Sequence, residues 1–298
     1  MGGPQGVRTR IVGILLIVVS ATTFGSLAIF GRYAYAAGLD VTTLLFLRFG
    51  FSALLMAGLL VLRREALPRG RTLAQLVGMG ALGYVAQSLC YLTAIQYASA
   101  GLVALLLYLY PTLVALLSTV FLKSKLTRLK IAALALATLG TALTANPQGG
   151  QPLGILLAIG SAVIYSVYII VGTGVMQKVS SFQSSAVIFA SAGLVFGGLT
   201  ALRGPHWPVS LDGWLAVGGI VLFATVIPVA TFLGGLKRIG PTDASMLSTM
   251  EPVVTVMLAA LLLDESPQLV TLLGGALILA AVLLLTRGEL RRANTIKT

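Results

Sequence analysis

The stretch Val12-Gly13-Ile14-Leu15-Leu16 returns as Leu153-Gly154-Ile155-Leu156-Leu157, 141 positions further along the chain. The same shift of 141 positions, applied near the other end of a half, places Pro111 on Pro252. A single ungapped offset that relates distant parts of a half indicates an internal duplication rather than chance similarity between apolar segments. The fold should therefore consist of two related halves.

The composition places both halves in a membrane. The chain is 57% hydrophobic and only 9% charged, with a mean hydropathy of +1.00, whereas soluble proteins carry about 25% charged residues. A helix needs about 20 apolar residues to cross a hydrocarbon core of about 30 Å. Ten segments fit this length: 11–32, 41–62, 73–94, 100–122, 130–146, 153–176, 184–202, 213–235, 243–263 and 268–286.

Each half thus holds five predicted spans, and an odd number forces the second half into the membrane upside down relative to the first. We predict an all-α integral membrane protein with ten transmembrane helices, arranged as two inverted five-helix repeats around a central cavity. The predicted parts are a first repeat at 1–146, an extracytoplasmic linker at 147–152, a second repeat at 153–286 and a cytoplasmic tail at 287–298. Inverted repeats of this kind build many secondary transporters, whose substrate sites lie where the halves meet.

The net charge of +12 is distributed in a way that sets the orientation. Of the 20 Lys and Arg residues, all except Arg32, Arg48 and Arg203 fall at the termini or in loops on one side of the membrane. Basic residues in short loops mark the cytoplasmic side during insertion, so both termini should be cytoplasmic. The basic charge also predicts attraction to anionic headgroups of the lipid bilayer, and no nucleic-acid partner is expected.

The side chains needed for catalysis or metal binding are scarce. The one histidine, His206, lies in a predicted external loop, and the one cysteine, Cys90, lies within an apolar span. No cysteine–histidine metal set, nucleophile–base pair or phosphate-binding loop can be assembled from the sequence. We therefore expect neither an enzyme nor a bound cofactor or metal.

Two charged residues lie deep inside predicted spans, where charges are costly and usually functional. At 1.5 Å per residue, Glu251 lies roughly 12 Å into the ninth span and Arg48 roughly 10 Å into the second. Glu251 is the one carboxylate that we place within a span. It can bind a proton or a substrate cation, or it can be neutralised by Arg48 or by helix amides, and both alternatives stay open. Arg48 is expected to lock helix packing and to meet a substrate carboxylate only secondarily.

The repeat-related prolines Pro111 and Pro252 should each bend a helix, open a cavity and free carbonyl groups to face it. Several tyrosines lie within spans rather than at the membrane surface, where interfacial aromatic residues gather. They are Tyr84, Tyr91, Tyr108, Tyr110, Tyr165 and Tyr168. A tyrosine offers an apolar ring and a hydroxyl, which suits a site for amphipathic organic molecules. We expect about half of these tyrosines to line the cavity.

Three features together resemble a known family: the five-plus-five repeat, the motif Met250-Glu251-Pro252-Val253-Val254 in the ninth span, and Leu262-Leu263-Asp264-Glu265-Ser266-Pro267 at its end. The chain resembles the drug/metabolite transporter superfamily, in its ten-helix branch of metabolite exporters, over roughly 11 to 286. That family often places a tryptophan after a small-residue turn in the first and sixth spans, where this sequence has Phe24 and Tyr165. The family's acidic residue at the end of the fourth span is replaced here by Lys123-Ser124-Lys125.

Within that superfamily, Leu107-Tyr108-Leu109-Tyr110-Pro111 resembles an element of bacterial aromatic amino-acid exporters. The resemblance implies a central cavity lined by helices 1, 3, 4, 6, 8 and 9. The substrate contacts that we expect there are Tyr84, Tyr108, Tyr110, Tyr165, Phe24 and Glu251.

The resulting expectation is a multi-pass protein of a bacterial cytoplasmic (inner) membrane that exports small organic metabolites by alternating access. Amino acids, aromatic ones favoured, are the expected substrates. The sequence leaves three alternatives open: a multidrug exporter of lipophilic cations that uses Glu251, a passive channel, and a lipid-translocating protein. A small-molecule substrate and the bilayer are the expected partners, and a monomeric state is left open.

Overall fold

The computed structural model describes residues 4–98, 103, 106–144, 151–262 and 268–295, and the predicted all-α class is confirmed for them. Ten helical segments, α1 to α10, fall within these ranges at the predicted spans. They are α1a (Pro4–Phe24) and α1b (Leu27–Ala36), α2 (Val41–Arg63), α3 (Gly70–Gly78 and Val85–Tyr97, joined by a π-helical turn at Met79–Tyr84), α4 (Tyr110–Phe121), α5 (Arg128–Thr144), α6 (Pro152–Met176), α7 (Ser181–Arg203), α8 (Leu211–Val221 and Ile227–Ile239, joined by a π-helical turn at Leu222–Val226), α9a (Pro241–Ser248), α9b (Glu251–Leu262) and α10 (Leu269–Thr295).

The helices have the length and surface that a bilayer requires. Eight of the segments in the described ranges are long and apolar enough to cross a membrane. The other two are α4 with 12 residues and α5 with 17, and the predicted fourth span begins in residues outside the described ranges. Large apolar side chains such as Leu194 and Leu202 point outward, with exposed fractions of 78% and 86%. Such a surface is stable only in contact with lipid.

The two repeats pack against one another through equivalent elements. α2 lies against its repeat mate α7, and α5 lies against its mate α10. α1 packs against α8, and the equivalent pair is α6 with α3. In the first pair the Ser20 hydroxyl donates to the Pro228 carbonyl at 2.8 Å, and in the second the Ser161 hydroxyl donates to the Gln87 carbonyl at 3.2 Å. Both serines and both acceptors are related by the 141-residue shift.

Small residues allow these helix pairs to approach closely, as is common between membrane helices. A Cβ atom on Gly13 of α1 would lie 2.6 Å from Ile239 of α8, and one on the repeat mate Gly154 would lie 2.9 Å from Tyr97 of α3. The π-helical turn of α3 makes a similar approach to α7, because a Cβ on Gly80 would lie 2.5 Å from the Ile188 carbonyl oxygen.

Helix interruptions follow the repeat in two places and depart from it in one. The π-helical turns of α3 and α8 overlap under the 141-residue shift. The turn at 108–109 before α4 and the turn at 249–250 between α9a and α9b coincide under it. Pro111 and Pro252 are the second residues of the helices that follow these turns. By contrast, α1 is interrupted at Gly25-Ser26, whereas its mate α6 is continuous.

The end of α2 that is predicted to be external has a well-formed cap. The Asp40 carboxylate accepts hydrogen bonds from the backbone amides of Thr42 at 2.9 Å and Thr43 at 3.3 Å. His206 Nδ1 lies 3.6 Å from Asp40, and the His206 amide donates to the Thr43 hydroxyl at 3.0 Å. These contacts join the start of α2 to the loop that follows α7. The predicted linker at 147–152 lies outside the described residues except for its last two.

Candidate functional site

Five tyrosines form one connected chain of aromatic rings in the interior. Four of them, Tyr84, Tyr108, Tyr110 and Tyr165, are the tyrosines predicted to contact substrate, and Tyr168 completes the chain. The ring centroids are 5.7 Å apart for Tyr84–Tyr168, 6.0 Å for Tyr168–Tyr165, 4.9 Å for Tyr165–Tyr110 and 6.2 Å for Tyr110–Tyr108. These spacings lie in the range that aromatic pairs prefer. The fold thus brings into one cluster residues that are far apart in the chain.

Three helices supply this tyrosine chain, and two of them, α3 and α4, do so at a special point of the backbone. Tyr84 ends the π-helical turn of α3, and Tyr108 and Tyr110 flank the end of the turn before α4. Tyr165 and Tyr168 are three residues apart on α6, so their side chains share one face of that helix. The Tyr168 hydroxyl is buried and has no hydrogen-bond partner among the described residues.

The break in α1 meets the break in α9. A Cβ atom on Gly25 would lie 2.8 Å from Val254 and 3.2 Å from the Glu251 carbonyl oxygen, so only glycine fits there. The Thr255 hydroxyl lies 3.1 Å from the Gly25 carbonyl. Phe24 precedes Gly25 at this crossing and is partly buried. No ring contact joins Phe24 to the tyrosine chain within the described part of the protein.

Arg48 joins α2 to the π-helical turn of α8. Its Nε donates to the Thr225 hydroxyl at 2.7 Å, and its Nη2 donates to the Ala224 carbonyl at 3.0 Å. Pro228, four residues after Ala224, has no N–H to donate to that carbonyl. The guanidinium therefore satisfies an acceptor that the helix backbone leaves open. This contact agrees with the packing role expected for Arg48.

Arg48 also borders the aromatic chain. Its guanidinium carbon lies 5.1 Å from the Phe49 ring centroid, and the Phe49 and Tyr84 rings are 5.2 Å apart. Glu251 is the first residue of α9b and is partly exposed. No ion pair joins Arg48 to Glu251 within the described ranges.

A second carboxylate within a helix was missed by the sequence analysis. Asp243 lies in α9a with 3% of its side chain exposed, in contact with Lys130 Nζ of α5 and 3.6 Å from Arg10 Nη2 of α1. The expectation that Glu251 is the one carboxylate within a span is therefore wrong. The three charges join α1, α5 and α9a at the end predicted to be cytoplasmic. A lone acid at the start of a span, beside basic loop residues, is the signal that could have revealed it.

The residues that the structure describes include no group of three or more His, Cys, Asp and Glu side chains placed to hold a metal ion. The predicted site residues that the structure describes instead offer phenol rings, the partly exposed carboxylate of Glu251 and the buried guanidinium of Arg48. Such groups can bind an organic molecule through ring contacts, hydrogen bonds and charge.

Family comparison agrees with this arrangement. The EamA-like transporter family matches the chain twice, over residues 11–146 and 152–287. The chain belongs to the EamA-like transporter family. The resemblance to the drug/metabolite transporter superfamily is thereby confirmed, and the two matches correspond to the two repeats. This is a family of membrane transporters.

Relatives cover nearly the full chain. An "Uncharacterized transporter" of Archaeoglobus fulgidus is 30% identical over 92% of this chain and 96% of its own length. The "Uncharacterized inner membrane transporter YedA" of Escherichia coli is 27% identical over 81% of this chain and 80% of its own. A "Probable terminal-alkyne amino-acid exporter" of Streptantibioticus cattleyicolor is 26% identical over 96% of this chain and 95% of its own.

A crystal structure of a protein 22% identical in sequence matches the fold with a TM-score of 0.83. It covers 95% of this chain and 99% of the matched chain. At this identity the likeness supports the arrangement of helices alone.

Proposed function

We propose that this protein exports small organic metabolites by alternating access, with amino acids as the substrate class and aromatic amino acids favoured. The observation that carries the proposal is the tyrosine chain, in which Tyr84 and Tyr110 of the first repeat contact Tyr168 and Tyr165 of the second. Transporters built from inverted repeats bind substrate at that junction, between discontinuous helices. The likeness to a relative named as a probable amino-acid exporter supports the same substrate class.

The rings explain why an aromatic side chain would be preferred. An aromatic substrate can pack against tyrosine rings at the spacing that these rings adopt with one another, about 4.5–7 Å. Two aromatic faces lost from water on each contact add hydrophobic stabilisation to the ring interaction. Tyrosine hydroxyls can also accept or donate hydrogen bonds to the polar head of the substrate.

The helix interruptions supply the movable parts that alternating access needs. Where a helix is broken, a change in a few backbone dihedral angles can reorient the segments on either side. α1 and α9 are interrupted, α4 begins after a turn at 108–109, and α3 and α8 carry π-helical turns. We propose that the two repeats rock about these points, so that the tyrosine chain is accessible from one side of the membrane at a time.

The direct test is a counterflow screen with purified protein in liposomes. Each vesicle batch is loaded with one amino acid, and entry of the same labelled amino acid is followed against protein-free vesicles. The proposal requires accelerated exchange of at least one aromatic amino acid. It fails if all amino acids exchange at the rate seen in protein-free vesicles.

A second candidate is the export of lipophilic cations, and one observation favours it. Glu251 is partly exposed and unpaired with Arg48, so a cation could approach its carboxylate. In that case cationic dyes would compete for transport, and Glu251→Gln would abolish the competition. Exchange of dyes with no exchange of amino acids would decide for this candidate.

A further inference from the structure

One half-helix at the predicted cytoplasmic side, α9a, is buried along its whole length. All eight of its residues are buried. It begins after Gly240, whose φ is +82°, and ends at Ser248, roughly 12 Å deeper in the membrane at 1.5 Å per residue. α9a packs against α4, whose first residue is Tyr110, and against α1, α5, α6, α8 and α10. It therefore lies between the helix that carries Tyr110 and the cytoplasmic ends of helices from both repeats.

Charged contacts hold α9a in this place. The Asp243 carboxylate contacts Lys130 Nζ of α5 and lies 3.6 Å from Arg10 Nη2 of α1. The Asp243 side chain is 3% exposed and that of Lys130 is 12% exposed, so salt and water screen this pair little. Separating a buried pair leaves charges that the protein interior solvates poorly. The contacts therefore oppose any movement that takes α9a away from α1 and α5.

The equivalent positions at the other side of the membrane are uncharged. In an inverted repeat, residues at the cytoplasmic end of one half have their mates at the external end of the other. A shift of 141 positions pairs each of the three charged residues with an uncharged mate: Gln151 for Arg10, Thr271 for Lys130 and Leu102 for Asp243. The charged contacts of these three positions thus have no external counterpart, although the surrounding helices are duplicated.

We propose that Asp243, Lys130 and Arg10 form a latch that closes the transport pathway on the cytoplasmic side. Access from the cytoplasm to the tyrosine chain requires α9a to move away from α1 and α5, and this movement separates Asp243 from both cations. The latch stabilises the cytoplasm-closed form without stabilising its externally closed counterpart, so it sets how often the empty protein opens inward. The latch rests on the alternating access proposed above and is independent of the substrate.

The test measures how fast the inner end of α9a reacts with a reagent supplied from the cytoplasmic side. Ser248→Cys, in a Cys90→Ser background, replaces a hydroxyl that is buried, at 6% exposure of the residue, with a thiol of similar size. Inside-out membrane vesicles are treated with a membrane-impermeant maleimide, and no substrate is added. We expect Asp243→Asn to raise the labelling rate at least fivefold. Arg10→Gln, which removes the more distant cation, should raise it at least twofold.

Three further variants separate release of the latch from a general loosening of α9a. Lys130→Arg keeps the cation, and Asp212→Asn removes an exposed carboxylate at the predicted external end; both should stay within twofold of the parent labelling rate. Met246→Ala empties a buried position of α9a and keeps all three charges. It should lower the melting temperature and change the labelling rate less than twofold. Each variant is first checked for a single peak on size exclusion, and Arg10→Gln decides where Asp243→Asn does not fold.

The outcomes separate the latch from the proposed function, because labelling requires no substrate. Labelling rates within twofold of the parent in folded Asp243→Asn and Arg10→Gln overturn the latch and leave the exporter standing. An equal rise in Met246→Ala and Asp243→Asn also overturns it, since any weakening of α9a would then have the same effect as loss of the charge. The expected labelling pattern in a protein that exchanges no amino acid supports the latch and overturns the proposed substrate class.

Discussion

Tyr110 and Glu251 occupy the same position in the two repeats, 141 residues apart. Each is the first residue of a helix that follows a two-residue turn, and each is followed by proline. The duplicated backbone thus presents a phenol on one side and a carboxylate on the other. The two repeats have the same backbone structure at this point, whereas the two side chains differ.

Loss of one ring from the tyrosine chain should weaken substrate binding. Tyr165 contacts both Tyr110 and Tyr168, and an aromatic pair contributes about 0.5–1.5 kcal/mol beyond burial. We expect Tyr165→Ala to raise the KM for phenylalanine counterflow roughly tenfold or more, and Tyr165→Phe to raise it much less. Tyr35→Ala, which removes a tyrosine that is 46% exposed, is the control. An unchanged KM in Tyr165→Ala would remove this ring from the site.

Close packing at Gly80 should tolerate no side chain. A Cβ atom there would lie 2.0 Å from Ser191 Oγ and 2.5 Å from the Ile188 carbonyl, whereas Gly78 has nothing within 4 Å. Gly80→Ala should destabilise the fold by about 1–3 kcal/mol or more. Gly78→Ala should be neutral or stabilising by up to about 1 kcal/mol, since alanine favours helices. Melting temperatures in detergent test the pair, and equal values would contradict the packing of α3 against α7.

The buried contact between Lys130 and Asp243 should respond non-additively to mutation. Lys130→Met leaves the Asp243 carboxylate, 3% exposed, without its nearest cation, and breaking a buried pair costs about 3–5 kcal/mol. Adding Asp243→Leu removes the stranded charge and should recover most of that loss. Lys125→Met, at an exposed position, should change the melting temperature little. A double variant no more stable than Lys130→Met would contradict this account.

Acid should weaken the cap of α2. Burial would raise the pKa of Asp40, but hydrogen bonds from Thr42 and Thr43 outweigh it and hold the pKa below its ordinary value of 3.8. A lowered pKa stabilises the fold above the unfolded-state pKa, and this contribution is lost as the pH falls through the folded-state value. Asp40→Ala should therefore cost about 0.5–2 kcal/mol at pH 7 and less near pH 3.

The comparison for Asp40 is best made in a His206→Ala background. His206 Nδ1 lies 3.6 Å from the carboxylate, so removing the imidazole leaves the hydrogen bonds of Asp40 as the interactions that the comparison measures. Melting temperatures at pH 7, 5, 4 and 3 give the profile. The melting temperatures of the His206→Ala protein and of the His206→Ala/Asp40→Ala protein are compared. A gap between them that grows toward low pH would contradict a lowered pKa for Asp40.

Inverted orientation of the repeats can be tested by labelling. In a Cys90→Ser background, Lys125→Cys should react with a membrane-impermeant maleimide only from the cytoplasm, and Gln151→Cys only from outside. Five spans per repeat require these two sites to lie on opposite sides of the membrane. Labelling of both from the same side would remove the inverted repeat and the transport cycle that depends on it.

The 141-residue offset predicts that contacts between distant residues in one half have equivalents in the other. Because both copies descend from one unit, a contact made by Ser20 in one half implies an equivalent contact by Ser161 in the other. Several tyrosines could be assigned to one predicted site because few other large polar side chains lie within the spans. Tyr168 is absent from the predicted substrate contacts, although its three-residue spacing from Tyr165 on one helix face would have justified including it.

The remaining features depend on packing that a single sequence does not encode locally. Each π-helical turn holds one residue more than an α-helical turn and lies within an otherwise ordinary apolar segment. No residue type in the sequence indicates where such a turn occurs. The contact between Asp243 and Lys130 joins residues 113 positions apart, so it follows only once α5 and α9a are placed side by side. The binding of Arg48 to the Ala224 carbonyl likewise requires knowing that Pro228 leaves this acceptor open.

The interruption of α1 at Gly25-Ser26, opposite a continuous α6, has an energetic consequence. Two identical halves would interconvert by exchanging conformations, and the forms open to either face of the membrane would then be isoenergetic. In this protein Gly25 of α1 packs closely against Val254 of α9b. At the equivalent position of α6, Ser166 places its hydroxyl 3.4 Å from the Tyr110 carbonyl. In the proposed transport cycle this asymmetry would lift that degeneracy, and the empty protein would have a resting orientation set by its own covalent structure before any gradient acts on it.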